Sequence, residues 1–267
     1  MDHKIIMNWM YPRSCSTVFM QALSQNAQIQ TVFEPFLPIY WNVHANEINL
    51  KHEGYDGWPT EYEAIKEKLY GIAKSGPVFV KECAFHALDR FLADEDFLRR
   101  CTHTFQIRDL RRCLLSSWKV RGTQKRRLEE LSCEASFRIY EKLRDMRLHV
   151  LDGGITPLVV DGDDFQDDPA GILKIWCEHM NLEYNDSMLR WEAKWRKEYD
   201  HWEACYRDVG HSNGVQRHME AFLYDEGVIA AAFNDLPAIK LCYDHHQPFH
   251  EILSKYRIRP TEASERP

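Results

Sequence analysis

An α/β fold, with a central parallel sheet flanked by helices on both faces and a helical C-terminal portion, is what this sequence predicts. Three observations lead there. Short apolar, β-prone runs recur at 3–10, 31–33, 78–81, 103–107 and 157–161, and helical patterns separate most of them. Strands that alternate with helices imply parallel pairing, because each crossover lays a helix over one face of the sheet. A chain of 267 residues with 44% hydrophobic content can bury one large core, so 1–267 is expected to form a single domain.

The first element is the most informative. His3 to Met10 is short and mostly apolar, as a buried central strand should be. Pro12 ends it, having no N–H to donate and a fixed φ. Ser14, Ser16 and Thr17 then precede Val18-Phe19-Met20-Gln21-Ala22-Leu23, which reads as a helix opening with hydroxyl caps. A strand, a tight polar loop and a helix make a phosphate-binding layout, since free N–H groups and the positive end of the helix dipole face one spot. Arg13 and three hydroxyls suit an anion with three oxygens. The nucleoside-triphosphate signature Gly-x4-Gly-Lys-Ser/Thr is absent, and no glycine lies between Asn8 and Gly54. On these residues alone, a plain strand-to-helix turn with a good N-cap is an equal reading.

Further along, 31–33 reads as a second strand followed by Glu34-Pro35-Phe36. Residues 37–60 mix aromatics, Asn, Gly and Pro without periodicity and read as an irregular excursion that walls a site, and 61–74 is helical up to the stop at Ser75-Gly76-Pro77. Helical patterns cover 110–120 and 126–147, and another helix starts at Pro169, where proline is favoured. Met188, Trp191, Trp195, Tyr199, Trp202 and Tyr206 fall at spacings of three and four, so they read as the core stripe of one helix. The helical portion is expected over 169–258, with a frayed tail from Arg259.

Composition narrows the function. The formal net charge is -7, which argues against a nucleic-acid partner and makes any anion site a local gathering of Arg and Lys. Eight scattered cysteines without a Cys-x-x-Cys pair argue against a zinc site and read as reduced thiols. With no leader-like start and no apolar run of roughly 18 residues, a cytoplasmic protein without a membrane span is expected.

Two more clusters carry chemistry. Phe105-Gln106-Ile107 delivers Arg108 to a strand end, and Ser116 follows eight residues later, about two turns into a helix. A guanidinium and a hydroxyl so placed suit one phosphate, although an Arg capped by Asp109 and a buried helix Ser fit the same residues. Val78-Phe79-Val80-Lys81-Glu82-Cys83-Ala84-Phe85-His86 sets a lysine and a histidine just after a strand. A lone His among 13 is more often structural than catalytic.

Taken together and in this order, the motifs resemble those of sulfotransferases that use 3′-phosphoadenosine-5′-phosphosulfate (PAPS). Pro12-Arg13-Ser14-Cys15-Ser16-Thr17 resembles their 5′-phosphosulfate loop, usually Pro-Arg/Lys-Ser-Gly-Ser/Thr-Thr, in a branch that carries Cys at the glycine position. Arg108 with Ser116 resembles their 3′-phosphate motif, and His86 precedes Arg108 by 22 residues, close to the family's spacing. The resemblance implies a P-loop type fold and a sulfonyl transfer from PAPS to a hydroxyl or amine of a small-molecule acceptor, with no metal. It implies Arg13, Ser14, Cys15, Ser16, Thr17, Arg108, Ser116 and Arg217 as cofactor-binding residues. His86 is implied as the base, with Lys81 and Arg13 as donors to developing charge. Glu34 is the rival base, since Glu-Pro-Phe after a second strand recurs in the Cys-bearing branch. Residues 158–169 match the family's strand, acidic turn and Pro-started helix, and His201-Trp202 with Ser212-Asn213-Gly214 match the branch's later pattern. The chain departs from the family at three points. The aromatic that many members carry near Gly162 is missing, Val18 replaces the aromatic after the loop, and no Arg-Lys-Gly surrounds Arg217. Two other classes stay open: an ATP- and magnesium-dependent phosphotransferase with Asp161 as metal ligand, and a nucleotide-binding relative without turnover.

Overall fold

The computed structural model describes residues 5–44, 55, 57–121, 127–148, 157–216 and 225–259. Five strands, β1 (Ile5–Met10), β2 (Gln30–Phe33), β3 (Val78–Glu82), β4 (Cys101–Ile107) and β5 (Leu158–Asp161), form one sheet in the order β2-β3-β1-β4-β5. Every pairing is parallel, and β1 lies in the middle with Ile5 in register with both Val78 and Cys101.

The helices, in chain order, begin with α1 (Ser16–Leu23), α2 (Leu37–Val43), α3 (Tyr62–Ala73), α4 (Leu88–Ala93), α5 (Glu95–Arg100) and α6 (Leu110–Arg121). They continue with α7 (Cys133–Asp145), α8 (Gly162–Asp167), α9 (Pro169–Met180), α10 (Glu203–His211), α11 (Glu226–Asp235) and α12 (Pro237–Ser254). Side chains alternate across a strand, and β1 shows the result. Ile5, Met7 and Trp9 enter one core with Ile65 of α3, Cys113 of α6, Ile139 of α7 and Leu253 of α12. Ile6 enters the other with Phe19 of α1, Trp176 of α9 and Tyr206 of α10. Burial on both faces is why the strands read as continuous apolar runs instead of alternating ones.

One polar thread crosses the second core. Asn8 Nδ2 donates to Gln106 Oε1 at 3.1 Å, and Thr104 Oγ1 donates to Asn8 Oδ1 at 3.0 Å. Gln106 Nε2 then donates to the Ser14 carbonyl at 3.1 Å. The thread ties the loop after β1 to the middle of the sheet. The chain leaves β1 toward β2 and leaves β4 toward β5, so the crevice beyond the carboxyl ends of β1 and β4 is the topological switch point, where ligands of such sheets bind.

Four expectations need correction. The stretch from 37 is not irregular throughout, because α2 forms there with Pro38 at its start. The pattern over 126–147 is two elements: a 3-10 turn at Leu128–Leu131 and then α7, separated by Ser132 at φ 67°, which no helix continues through. The aromatic stripe is not one helix. It runs through a 3-10 turn at Asp186–Leu189, an extended stretch, a second 3-10 turn at Lys197–Trp202, and α10. Met188, Trp191, Tyr199 and Tyr206 are nonetheless buried in one core, so the burial is right and the periodicity is not. Finally, α1 has no hydroxyl cap: Cys15 is its N-cap residue, in the left-handed region, and its side chain makes no capping bond. All eight cysteines are free thiols, and among the described residues no helix is long and apolar enough to cross a membrane.

Candidate active site

The loop after β1 is held by its own backbone. Tyr11 N–H donates to the Gln106 carbonyl at 3.1 Å, which extends the β4 pairing, and Ser14 N–H returns to the Tyr11 carbonyl at 3.2 Å. Arg13 and Cys15 sit at φ 70° and 64°, a region that costs a residue with a Cβ roughly 1–2 kcal/mol. Strain of that kind gathers at ligand loops. The first N–H groups of α1, at Ser16, Thr17 and Val18, have no preceding helical carbonyl to bond and face the carboxyl edge. The Ser14 hydroxyl is buried and finds no hydrogen-bond partner among the described residues.

Gly162 bounds the loop from the other side. A Cβ on it would lie 2.3 Å from the Ser14 carbonyl oxygen, so the β5–α8 turn presses on the loop backbone and leaves no room for a side chain. An aromatic cannot stand there without moving the loop.

Arg108 emerges from β4, buried, and its guanidinium joins the loop to the β5–α8 turn. Its Nε donates to Asp163 Oδ1 at 2.9 Å, and its NH1 donates to the Arg13 carbonyl at 3.3 Å. Asp163 also pairs with Arg112 at 2.8 Å, so one carboxylate bridges two guanidiniums. Asp109 does not cap Arg108. It accepts from the N–H groups of Arg111 and Arg112 and so opens α6, whose second turn carries Ser116. Ser116 Oγ accepts from Arg13 Nε at 2.9 Å, while Arg13 NH1 donates to the Cys205 carbonyl of α10 at 2.6 Å. Arg13, Arg108 and Ser116 thus meet at one place.

A second centre lies at the ends of β2 and β3. Lys81 and Glu34 form a buried ion pair, with the ammonium 4.2 Å from the centre of the Phe33 ring. Burial by itself would push the Glu34 carboxyl up, but Lys81, His86 and His201 outweigh it and hold the group below the usual carboxylate range. Glu34 also has φ 40°. Tyr206 OH approaches the same carboxylate at 3.5 Å. Cys205 and Tyr206, adjacent in α10, therefore reach both centres: one touches Arg13, the other Glu34. His86 follows in a 3-10 turn at Ala84–His86, with its Nδ1 2.5 Å from Glu82 Oε1. Burial drives the Glu82 carboxyl up, partly offset by the His86 charge.

Glu34, Cys83 and His86 bring one possible metal-ligand atom each within 4.8 Å of one another. Lys81 already supplies a cation to Glu34, so a metal ion there would sit against the ammonium or displace it. Asp161, the alternative metal ligand, is otherwise engaged. Its Oδ1 accepts from Asp163 N–H at 2.8 Å and Asp164 N–H at 3.4 Å, which caps α8, and its Oδ2 lies 3.6 Å from Arg257. A cleft of about 360 Å³ lined by Asp109, Arg112, Asp163 and His250 borders the Arg108 cluster.

Of the expected residues, Arg13 to Thr17, Arg108 and Ser116 gather at the β1/β4 crevice, and Lys81, Glu34 and His86 gather at the second centre. Arg217 lies outside the described residues. Sequence reading did not single out Glu82, Asp163, Arg112, Cys205 or Tyr206 for the site. Asp163 lay within a recognised stretch, but nothing in spacing tells which of its acids meets an arginine.

The family model described as a sulfotransferase domain matches residues 4–234. Among curated proteins, branched-chain-amino-acid aminotransferase-like protein 2 of Arabidopsis thaliana is 26% identical over 192 residues, which is 71% of this chain and 32% of the relative. The like-named protein 1 is 27% identical over 193 residues, 72% of this chain and 33% of the relative. The chain thus spans about a third of the length of these relatives. The solved structures that align with it include two sulfotransferase domains. The sulfotransferase domain from the curacin biosynthetic pathway has a TM-score of 0.49 at 13% identity, with 97% of this chain and 99% of that one covered. The sulfotransferase domain from the Synechococcus PCC 7002 olefin synthase has 0.47 at 17%, with 95% and 97% covered.

Proposed function

This chain belongs to the sulfotransferase-domain family, and on that footing we propose that it transfers a sulfonyl group from PAPS to a hydroxyl or amine of a small-molecule acceptor. The observation that carries the reading is the convergence of two anion-binding motifs, with Arg13 on Ser116 and Arg108 on the Arg13 carbonyl at the switch point. A donor with phosphates at both its 5′ and 3′ positions fits two such motifs side by side; ATP has no group for the second. The unpartnered Ser14 hydroxyl and the first N–H groups of α1 suit the 5′ end.

In this reading each group has one task. Arg13, with the loop N–H groups, holds the phosphosulfate, and Arg108 with Ser116 holds the 3′-phosphate. His86 takes the proton from the acceptor as its oxygen or nitrogen bonds to sulfur and the bond from sulfur to the phosphate oxygen breaks. Lys81, which keeps two N–H donors beyond the one on Glu34, meets the charge that builds on the leaving oxygen. Glu34 is the weaker choice of base, because its carboxylate is neutralised by Lys81 and held in its ionised, feebly basic form. Fixed cations take the part that a metal plays in phosphoryl transfer. We place this domain in the cytosol, where its eight free thiols stay reduced.

The phosphotransferase reading loses ground, since Asp161 is committed to capping α8. Isothermal titration with adenosine 3′,5′-bisphosphate is the direct test. Saturable binding without magnesium is expected, and no binding at millimolar ligand would remove the proposal. Binding without sulfonyl transfer to any acceptor in a broad screen would leave a nucleotide-binding relative.

A further inference from the structure

We propose that Glu82 is a positioning residue that fixes the tautomer of His86 and steadies the positive charge His86 takes up; this rests on His86 being the base. Glu82 ends β3 and is fully buried. Three donors converge on its carboxylate. Phe36 N–H reaches Oε2 at 2.8 Å, Cys83 N–H reaches Oε1 at 2.9 Å, and His86 Nδ1 reaches Oε1 at 2.5 Å.

The backbone decides the direction of the third bond. A peptide N–H can only donate, and two such donors favour the ionised carboxylate, whose oxygens can then only accept from the imidazole. A neutral imidazole carries one N–H, and against an acceptor it sits on Nδ1. Nε2 is then left with its lone pair, as a base requires. The 3-10 turn at Ala84–His86, closed by His86 N–H on the Cys83 carbonyl at 3.0 Å, folds residue 86 back over residue 82. The rings of Phe85 at 4.5 Å and Tyr40 at 5.9 Å hem the imidazole in. Because the same carboxylate holds Phe36, it also ties the turn after β2, with Glu34, to the turn after β3.

During transfer the acceptor's proton moves to Nε2, the acceptor atom bonds to sulfur, and the electrons of the broken sulfur–oxygen bond go to the phosphate. His86 becomes a cation beside a carboxylate that needs no rearrangement to receive it. Glutamine cannot replace Glu82 in this role. Its amide offers one acceptor and one NH2 to three donors, so its NH2 must face either Phe36 N–H or the Cys83 and His86 side. Neither orientation brings a negative charge.

The test has two arms. In protein labelled with 15N at histidine, with the His86 signals assigned by their loss in His86→Ala, the neutral ring of His86 is expected to carry its proton on Nδ1. This needs neither nucleotide nor turnover, so it stands apart from the sulfotransferase reading; a proton on Nε2 overturns the inference. In the second arm, Glu82→Gln is expected to lower kcat per bisphosphate-binding site by roughly 10- to 100-fold. The KM for the acceptor and the bisphosphate affinity should stay within about twofold, as neither contact involves residue 82. A purely structural Glu82 would lower thermal stability and leave kcat per binding site unchanged, which overturns the proposal. Should Glu82→Gln fail to fold, the wild-type tautomer still decides. Loss of bisphosphate binding in the wild type would remove the sulfotransferase reading instead.

Discussion

Arg13 Nε donates to Ser116 Oγ at 2.9 Å, across 103 positions of sequence. By resemblance the two belong to different anion sites, Arg13 to the 5′-phosphosulfate and Ser116 to the 3′-phosphate. Their bond makes the two sites one connected surface, with the Arg108 guanidinium closing it through the Arg13 carbonyl. Ser116 accepts that bond through a lone pair, which leaves its O–H to donate to an anion that Arg13 also holds.

The coupling is measurable. Arg108→Ala should weaken adenosine 3′,5′-bisphosphate by roughly 10- to 100-fold, the loss of a charge-assisted contact of about 1.5 to 3 kcal/mol. Arg13→Ala and Ser116→Ala, measured singly and together by titration calorimetry, should not multiply. A coupling of at least about 0.5 kcal/mol is expected for groups in direct contact. Strict multiplication would mean that their bond carries no weight in binding. If Arg108→Ala leaves affinity unchanged, the 3′-phosphate assignment fails.

The loop backbone makes a second prediction, with opposite outcomes at two positions. Cys15 stands at φ 64°, where glycine is at ease. Cys15→Gly should keep transfer and bisphosphate affinity and leave thermal stability nearly level, since relief of strain offsets the added chain entropy. Gly162→Ala should do harm, because its Cβ would meet the Ser14 carbonyl oxygen at 2.3 Å. The loop must shift, and bisphosphate affinity should fall by roughly 10-fold or more. An inactive but folded Cys15→Gly would reveal a task for the thiol.

These residues mark what the sequence discloses and what it withholds. The strands were legible because burial on both faces forces continuous apolar runs, as in Ile5-Ile6-Met7. The loop was legible because proline, arginine and hydroxyls occur at short fixed spacing. The stripe from Met188 to Tyr206 misled because two 3-10 turns, an extended stretch and a helix each turn side chains into one core, and together they imitate the spacing of a single helical face. Asp163, Glu82 and Cys205 stayed hidden for another reason. Asp163 meets its arginines and Cys205 meets Arg13 across tertiary contacts, and Glu82 meets His86 only because a 3-10 turn follows β3. The first two leave no local pattern, and the spacing of four between Glu82 and His86 does not by itself reveal the turn.

Asp161 yields a pH prediction. Burial, with Asp164 and Asp163 close by, raises its carboxyl to about 6. An unfolded Asp titrates near ~3.9, so the native state binds the extra proton between those values. The stability contributed is therefore full below about pH 4 and lost as pH rises through about 6. Asp161→Asn keeps an acceptor for the N–H groups of Asp163 and Asp164 and removes the buried charge. It should unfold at higher denaturant than wild type above pH 6, by up to about 3 kcal/mol, and match it near pH 4. A gap that is constant with pH would show that the shift is absent.

The last prediction separates the two candidate bases by what each leaves behind. Glu34→Gln strands the buried Lys81 ammonium without its counter-charge, at a cost of about 3 to 5 kcal/mol. Its loss of activity should therefore come with a fall in melting temperature and in the fraction that binds bisphosphate. His86→Ala removes one of three donors from Glu82 and leaves Phe36 N–H and Cys83 N–H in place, so fold and nucleotide affinity should stay near wild type. Transfer should nevertheless fall by roughly 100-fold or more. Both variants are to be compared per bisphosphate-binding site, from calorimetry, so that unfolded protein is not counted as inactive enzyme. Normal turnover by His86→Ala, with a folded, nucleotide-binding and inactive Glu34→Gln, would transfer the base to Glu34. Lys81 would then have to release that carboxylate before it could take a proton.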